Sequence, residues 1–281
     1  MMRIGGHVSA AGGIGLAPER ALTIGANCLQ IFISPPQGWR KTEISDEQVA
    51  AFKTALTDHD LGPVFIHALY LVNLATPKAD LREKSIDALA HALRTADRIG
   101  AQGVIYHTGS RTTRQDDVLD DVVSAMREVL KRSPGKSQLI IENSAGHGGT
   151  VGGRFEELAM MRKGVDSARV NVCLDICHAF AVGYDLRTPE TIHVTLDEFD
   201  RTVGLEHLVV VHANDIQAKY ELGAGKDRHE NIGQGAIGSA GFKALLHNPH
   251  LRKLPWILEV PGFAGEGPDA KNVEILQRLA R

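Results

Sequence analysis

Short apolar runs rich in β-branched residues recur along this chain, and each meets a polar side chain able to bind or orient a metal ion. The runs cover residues 3–8, 28–33, 63–68, 103–107, 138–143, 170–175, 208–212 and 256–260. Their polar positions are His7, Gln30, His67, His107, Glu142, Asp175 with His178 close behind, His212 and Glu259. Runs of this length, separated by turn-forming residues, predict strands. Between them the apolar spacing becomes helical. Ser45-Asp46-Glu47-Gln48 predicts a serine-capped helix start, and residues 79–99 place Leu81, Ile86, Leu89, Leu93, Ala96 and Ile99 on one stripe. Residues 116–130 repeat the pattern with Val118, Val122, Val123, Met126 and Leu130. Gly25, Gly100 and Gly135 fall between helical runs and the next strands, where a left-handed glycine ends a helix. Strands alternating with helices predict the α/β class, as a single (β/α)8 TIM barrel over residues 1–281 with its active site at the C-terminal ends of the strands. Three connections on that side, 34–43, 146–153 and 215–238, are longer than barrel closure requires and are expected to wall a substrate groove.

Composition narrows the class. The 281 residues are 43% hydrophobic and 23% charged, enough for a large core. No stretch approaches the roughly 18 uninterrupted apolar residues of a membrane span, and the first residues lack a basic region followed by an apolar block. We therefore expect a cytoplasmic protein without membrane contact. The cysteines, Cys28, Cys173 and Cys177, are odd in number and sit in apolar runs, so packed thiols are expected rather than disulfides. Cys177 lies between two candidate ligands but is expected to point away from them, as neighbours do in an extended segment. A formal net charge of −3 argues against the broad basic face of a nucleic-acid binder and favours a small-molecule enzyme, unless bound cations change the balance.

The candidate ligands decide between these readings. Asp175 and His178, three residues apart, form a pair that a buried, self-satisfied histidine explains as readily as a metal site. Asp227-Arg228-His229 adds another carboxylate and imidazole in a glycine-rich loop, where charged residues are usually solvated. Position adds force to type. His67, His107, Glu142, Asp175, His212 and Glu259 all end strands, a barrel gathers those ends on one rim, and imidazole with carboxylate is the ligand set of zinc and its neighbours. With His178, Asp227 and His229 the set reaches five histidines and four carboxylates, enough for a multinuclear centre. His59, His91, His193, His207, His247 and His250 fall on expected helices or their ends and are read as ordinary surface or packing residues. His147, on a glycine-rich loop, is a candidate substrate contact, and His7 a candidate for holding a ligand in place.

The motifs at these positions resemble the endonuclease IV family of metal-dependent apurinic/apyrimidinic endonucleases. The matching stretches are His7-Val8-Ser9-Ala10-Ala11-Gly12-Gly13, His67 with Tyr70-Leu71-Val72-Asn73-Leu74, Glu142-Asn143-Ser144-Ala145-Gly146 and Cys173-Leu174-Asp175-Ile176-Cys177-His178-Ala179-Phe180 with Gly183-Tyr184-Asp185. His212-Ala213-Asn214-Asp215, Asp227-Arg228-His229-Glu230-Asn231-Ile232-Gly233 and Leu258-Glu259-Val260-Pro261 complete them, nearly end to end. The resemblance implies three zinc ions, with manganese or another divalent ion as a substitute. His67, His107 and Glu142 would hold the first. Glu142, the catalytic carboxylate, would bridge to a second held also by Asp175, His212 and Glu259, while His178, Asp227 and His229 would hold the third. Asn143 and Asn214 would support the ligands beside His7.

The implied reaction is hydrolysis of the phosphodiester 5′ to an abasic site in double-stranded DNA, leaving a 3′-hydroxyl, with removal of 3′ blocking groups as an accompanying activity and a monomer as the working form. Tyr70 would enter the DNA near the lesion, and the loop carrying Gln37 and Trp39 would intercalate. That loop reads Ser34-Pro35-Pro36-Gln37-Gly38-Trp39 where the family usually has an asparagine and an arginine. Thr108 replaces a usual proline, Ile216-Gln217 a usual Ser-Lys and Gln234 a usual glutamate, so weaker duplex affinity is expected. Two alternatives stand beside this reading. A metal-dependent sugar isomerase or epimerase on the same barrel would not need His178, Asp227 and His229, and a non-catalytic damage binder would not need open metal positions.

Overall fold

The computed structural model describes residues 2–112 and 117–281. Eight strands run parallel and close on themselves: β1 (Ile4–His7), β2 (Leu29–Ile31), β3 (Val64–His67), β4 (Gly103–Tyr106), β5 (Gln138–Glu142), β6 (Val170–Asp175), β7 (Leu208–His212) and the last barrel strand, β10 (Trp256–Leu258), which pairs with both β7 and β1. Two further short strands, β8 (Asp215–Ile216) and β9 (His229–Glu230), form an antiparallel pair after β7. The outer ring consists of α1 (Ala17–Thr23), α2 (Asp46–Asp58), α3 (Ala79–Ile99), α4 (Leu119–Arg132), α5 (Phe155–Val165), α6 (Ile176–Val182), α7 (Pro189–Thr202), α8 (Gly238–His247) and α9 (Ala270–Leu279). This is the expected (β/α)8 barrel.

Strand periodicity explains where the site lies. A compact apolar cluster, Cys28, Phe65, Ile105, Ile140, Cys173, Val210 and Ile257, is fully buried and separate from the larger cluster beneath the helices. Each member comes from a different strand or its first approach, and β1 supplies Gly5 at the equivalent level, whose backbone packs so close to Cys28 that a Cβ would lie 1.8 Å from the Cys28 carbonyl oxygen. These residues fill the barrel. Successive strand residues alternate between faces, so the next inward position is two residues further on. Adding two to each gives His7, Gln30, His67, His107, Glu142, Asp175, His212 and Glu259. The polar ring is the layer directly above the apolar floor. One irregularity serves this arrangement: β6 and β7 shift register after Val172, so that Asp175 pairs with His212 rather than with Val211.

The helices follow the sequence pattern with specific differences. Ser45 accepts the Gln48 backbone N–H at 3.3 Å and the Gln48 side chain accepts the Ser45 N–H at 3.0 Å, the expected capping box. Gly25 and Gly100 adopt the left-handed conformation, with φ of 74° and 76°. Gly135 is not left-handed. It is required because Asp97 packs against it: a Cβ there would lie 1.8 Å from the Asp97 carboxylate, whose Oδ1 accepts the backbone N–H groups of Lys136 and Ser137. The helix expected over 116–130 starts at Leu119 with Val118 as its cap, and Asp116 lies outside the described residues. Its buried residues are Val122, Val123, Ala125, Met126 and Val129, while Leu130 is half-buried against the same core. Among the described residues no helix is long and apolar enough to cross a membrane.

Candidate metal centre

Six ligand candidates come from the polar ring, His178 from the start of α6, and Asp227 and His229 from the connection after β7. Glu142 is at the middle, fully buried, with one oxygen 3.3 Å from His67 Nε2 and 3.5 Å from His107 Nε2. Its other oxygen lies 3.1 Å from His212 Nδ1, which is also 3.2 Å from Glu259 Oε2 and 3.8 Å from Asp175 Oδ2. Donor atoms of His67, His107 and Glu142 therefore fall in one cluster, and those of Glu142, Asp175, His212 and Glu259 in a second, each within 4.8 Å. Asp227 Oδ2 is 3.3 Å from His178 Nε2, and its Oδ1 is 3.2 Å from His229 Nε2, so one loop carboxylate joins the imidazole of α6 to that of β9. Around this loop the groups whose donor atoms lie within 4.8 Å are Asp175 with His178 and His229, and Cys177 with Asp227 and His229, so Asp227 meets His178 as a pair and the expected trio shares its space with Asp175 and Cys177.

The hydrogen bonds fix which ring nitrogen faces inward. His67 Nδ1 donates to the Ala68 carbonyl at 2.8 Å, His178 Nδ1 to the Asn143 carbonyl at 2.9 Å and His229 Nδ1 to the Glu259 carbonyl at 3.1 Å. Each leaves Nε2 facing a carboxylate, Glu142 for His67 and Asp227 for His178 and His229. His212 is reversed. Gln30 Nε2 donates to Glu259 Oε1 at 2.6 Å, which turns its carbonyl oxygen to His212 Nε2 at 2.9 Å and leaves Nδ1 to face Glu142 and Glu259. The same Gln30 amide lies 2.9 Å from His7 Nδ1.

The asparagines expected to support the ligands do touch them. Asn143 accepts the Asp175 N–H at 2.6 Å and donates to the Asp175 carbonyl, while Asn214 donates to Asp175 Oδ2 at 2.6 Å and accepts the Glu259 N–H at 2.8 Å.

Electrostatics test whether cations fit. Burial pushes the His178 and His212 imidazoles down, but neighbouring acidic groups, Asp175 for His178 and Cys173 with Glu259 for His212, outweigh it and hold both well above the usual range. His229 rises to about 9, burial again opposing and Asp227 prevailing, and His67 rises against burial through Glu142. Burial pushes Glu142 and Glu259 up, yet the histidines hold both well below the usual carboxylate range, and Asp227 is lowered in the same way. Asp175, for which burial wins, goes up, while burial takes His7 and His107 down. Buried carboxylates in this number require positive charge among them, as protons on imidazole or as metal ions. His178 Nε2 and His229 Nε2 are buried with no hydrogen-bond partner although Asp227 oxygens are in range. Two imidazole nitrogens aimed at one carboxylate are satisfied either by protons on the rings or by a cation held among the three groups.

The remaining expectations divide. Tyr70 is 62% exposed at the rim, its ring 5.2 Å from Phe32 and 6.1 Å from His67. Gln37 is exposed on its loop, whereas Trp39 is half-buried in a crevice it shares with His67, Leu69, Val72, Ala88 and His91. His147 is exposed beside a hollow of about 420 Å³ that opens onto His107, His178 and Asp227. Cys177 departs from expectation. The chain turns helical at Ile176, with Asp175 as the cap accepting the His178 N–H at 2.8 Å, so alternation fails and the Cys177 sulfur lies within 4.8 Å of donor atoms of Asp227 and His229. All three cysteines are free and buried, as expected. Sequence reasoning did not single out Phe32, whose ring packs 4.3 Å from His7 and 5.4 Å from His67. Its signal was available, since Phe32 follows Gln30 by two.

A parallel barrel carrying clustered imidazoles and carboxylates on its C-terminal rim defines a metal-site protein of the xylose isomerase-like class, and the family description "Xylose isomerase-like TIM barrel" matches residues 18–280. Closer likenesses narrow this. The chain is 40% identical over 279 residues to a probable endonuclease 4 of Halothermothrix orenii, covering 99% of this chain and all of that one. It is 41% identical over 280 residues to a probable endonuclease 4 of Haloarcula marismortui, covering 99% of each. The solved structure of endonuclease IV from Thermus thermophilus superposes with a TM-score of 0.87 at 36% identity, covering 99% of this chain and 98% of that one. The chain belongs to the endonuclease IV family. A D-tagatose 3-epimerase-like protein superposes with a TM-score of 0.71 at 17% identity, a likeness of fold alone.

Proposed function

We propose that this chain is a DNA-repair hydrolase that cleaves the phosphodiester 5′ to an abasic site in double-stranded DNA through a centre of three divalent ions, zinc foremost, and leaves a 3′-hydroxyl. The observation that carries the reading is the convergence of nine donor side chains around Glu142 and Asp227. His67, His107 and Glu142 would hold one ion, Glu142 with Asp175, His212 and Glu259 a second, and His178, Asp227 and His229 a third. Bound there, such ions lower the pKa of water and absorb charge on phosphate oxygens. The chain's own part is orientation. Gln30, Asn143 and Asn214 fix the ligands, the apolar layer below closes the barrel to water, and Tyr70 with Phe32 presents an aromatic edge to an unstacked sugar. An abasic nucleotide suits such a site because it has little stacking to lose when it leaves the helix.

The same chemistry extends to removing groups that block a 3′ end, and the reading includes a single-domain monomer working on cytoplasmic DNA. Metal analysis combined with cleavage of a duplex carrying one stable abasic analogue tests it. The loaded chain should cut 5′ to the analogue, and Glu142→Gln, which loses the central charge, should reduce the rate at least a hundredfold, about 3 kcal/mol. A fully loaded chain inert on that duplex rejects the endonuclease reading in favour of an isomerase, and unchanged activity in the variant removes Glu142 from the centre.

A further inference from the structure

Asp215 is not a metal-ligand candidate, yet its carboxylate accepts more backbone N–H groups than any other carboxylate among the described residues. It is fully buried, and its two oxygens accept five backbone N–H groups: Ile216 at 2.9 Å and Ile237 at 3.1 Å on Oδ1, and Gly233 at 3.1 Å, Gly235 at 3.0 Å and Gly238 at 3.2 Å on Oδ2. Four of the five donors lie at the far end of the loop that Asp215 begins. The loop is thereby closed on its own first residue, and within it the β8–β9 pairing sets Ile216 opposite His229, with the Gln217 N–H donating to the Arg228 carbonyl at 3.0 Å. His229 opens that returning strand and Asp227 lies two residues before it.

The other candidate ligands stand on barrel strands, one residue past a strand end for His107 and Glu259, or, for His178, at the start of a helix capped by Asp175. Asp227 and His229 alone depend on a long connection, whose two ends the Asp215 carboxylate joins. Asp227 is joined to the barrel through His178, and His229 through the Glu259 carbonyl, contacts that hold only when the loop is in place.

We propose that Asp215 is a positioning residue that makes the third ion subsite conditional on closure of the loop at 215–238, while the two subsites on the barrel rim form without it. This rests on the metal-centre reading above. The packing leaves no slack for another arrangement. A Cβ on Gly235 would fall 2.1 Å from the Ile216 carbonyl oxygen and 2.4 Å from Asp215 Oδ1, so the glycine permits the close approach the carboxylate needs. Replacing Asp215 by asparagine keeps the shape but turns one acceptor oxygen into a donor facing other donors.

The test compares wild type, Asp215→Asn and Gly235→Ala by zinc content after dialysis, by zinc release to a colorimetric chelator, and by backbone hydrogen exchange. The expected result is loss of one ion in three from each variant, at least tenfold faster release of that ion, and faster exchange confined to residues 216–238. Gly235→Ala disturbs the same junction from the opposite side, so it decides the matter if the asparagine variant does not fold. Variants that keep every ion with unchanged exchange overturn the proposal, as do variants that lose all ions together or exchange faster throughout the barrel. A wild-type chain that binds no zinc defeats the metal-centre reading instead, and the exchange comparison still decides whether Asp215 closes the loop.

Discussion

Gln30 shows how much of a metal centre rests on side chains that bind no metal. Its single amide orients His212, pins Glu259 and reaches His7, and it is completely buried. Replacing it with leucine fills the space but leaves the His212 Nε2–H without an acceptor and lets the Glu259 carboxylate turn. Groups that hold ligands in this way typically contribute 10- to 100-fold to metal affinity. Gln30→Leu should therefore bind zinc about 30-fold more weakly in a chelator competition while keeping its folded circular dichroism. Equal affinity in the two proteins would show that Gln30 only fills the barrel. The residue was visible in the sequence as a polar position among strand endings, but its partners were not, since they lie 23, 182 and 229 positions away. Cys177 was misjudged for a local reason. Alternation holds only while the chain is extended, and Asp175 ends the strand by capping a helix two residues before the cysteine.

At the scale of elements, the strands were legible because apolar runs bounded by turn residues have few other solutions in a chain this rich in helical stripes. Their exact ends were not. His107 and Glu259 each stand one residue beyond the ladder, where the loops peel away. The role of Gly135 escaped because it is set by a tertiary contact, the Asp97 carboxylate packed against it from 38 residues earlier in the chain. Gly5 makes the same point where the barrel is most crowded. Alanine is well tolerated by strand geometry in general, but here its methyl would meet the Cys28 carbonyl at 1.8 Å and force β1 from β2. Gly5→Ala should cost about 3 kcal/mol, the upper part of the range for overpacked cores, as a lower denaturation midpoint in urea at unchanged slope. A midpoint within error of wild type would mean that β1 can shift outward freely, and the tight floor beneath the metal ligands would be no constraint.

For the whole molecule, the same charges that hold the ions couple its stability to pH. In the metal-free chain His67, His178, His212 and His229 are raised above the ordinary imidazole value, so their contribution is complete below about 6.5 and is lost as pH rises through the folded values, about 9 for His229. Glu142, Asp227 and Glu259 are lowered, so their contribution is present above the ordinary carboxylate range and is lost only in acid. His7 and His107 are lowered by burial and have finished titrating before the alkaline window opens. The metal-free chain should thus lose stability steadily from pH 6.5 to 9, on the order of 3 kcal/mol for His229 alone. Metal ions reverse the slope, because a ligand nitrogen must shed its proton and higher pH removes the competitor. Melting temperatures of chelator-treated and zinc-loaded protein should therefore diverge as pH rises, and zinc titrations in buffers of different ionisation enthalpy should register protons released on binding. Parallel melting curves with no proton release would mean that the imidazoles are already neutral in the free chain, and that proton-bridged carboxylates do not hold the empty centre together.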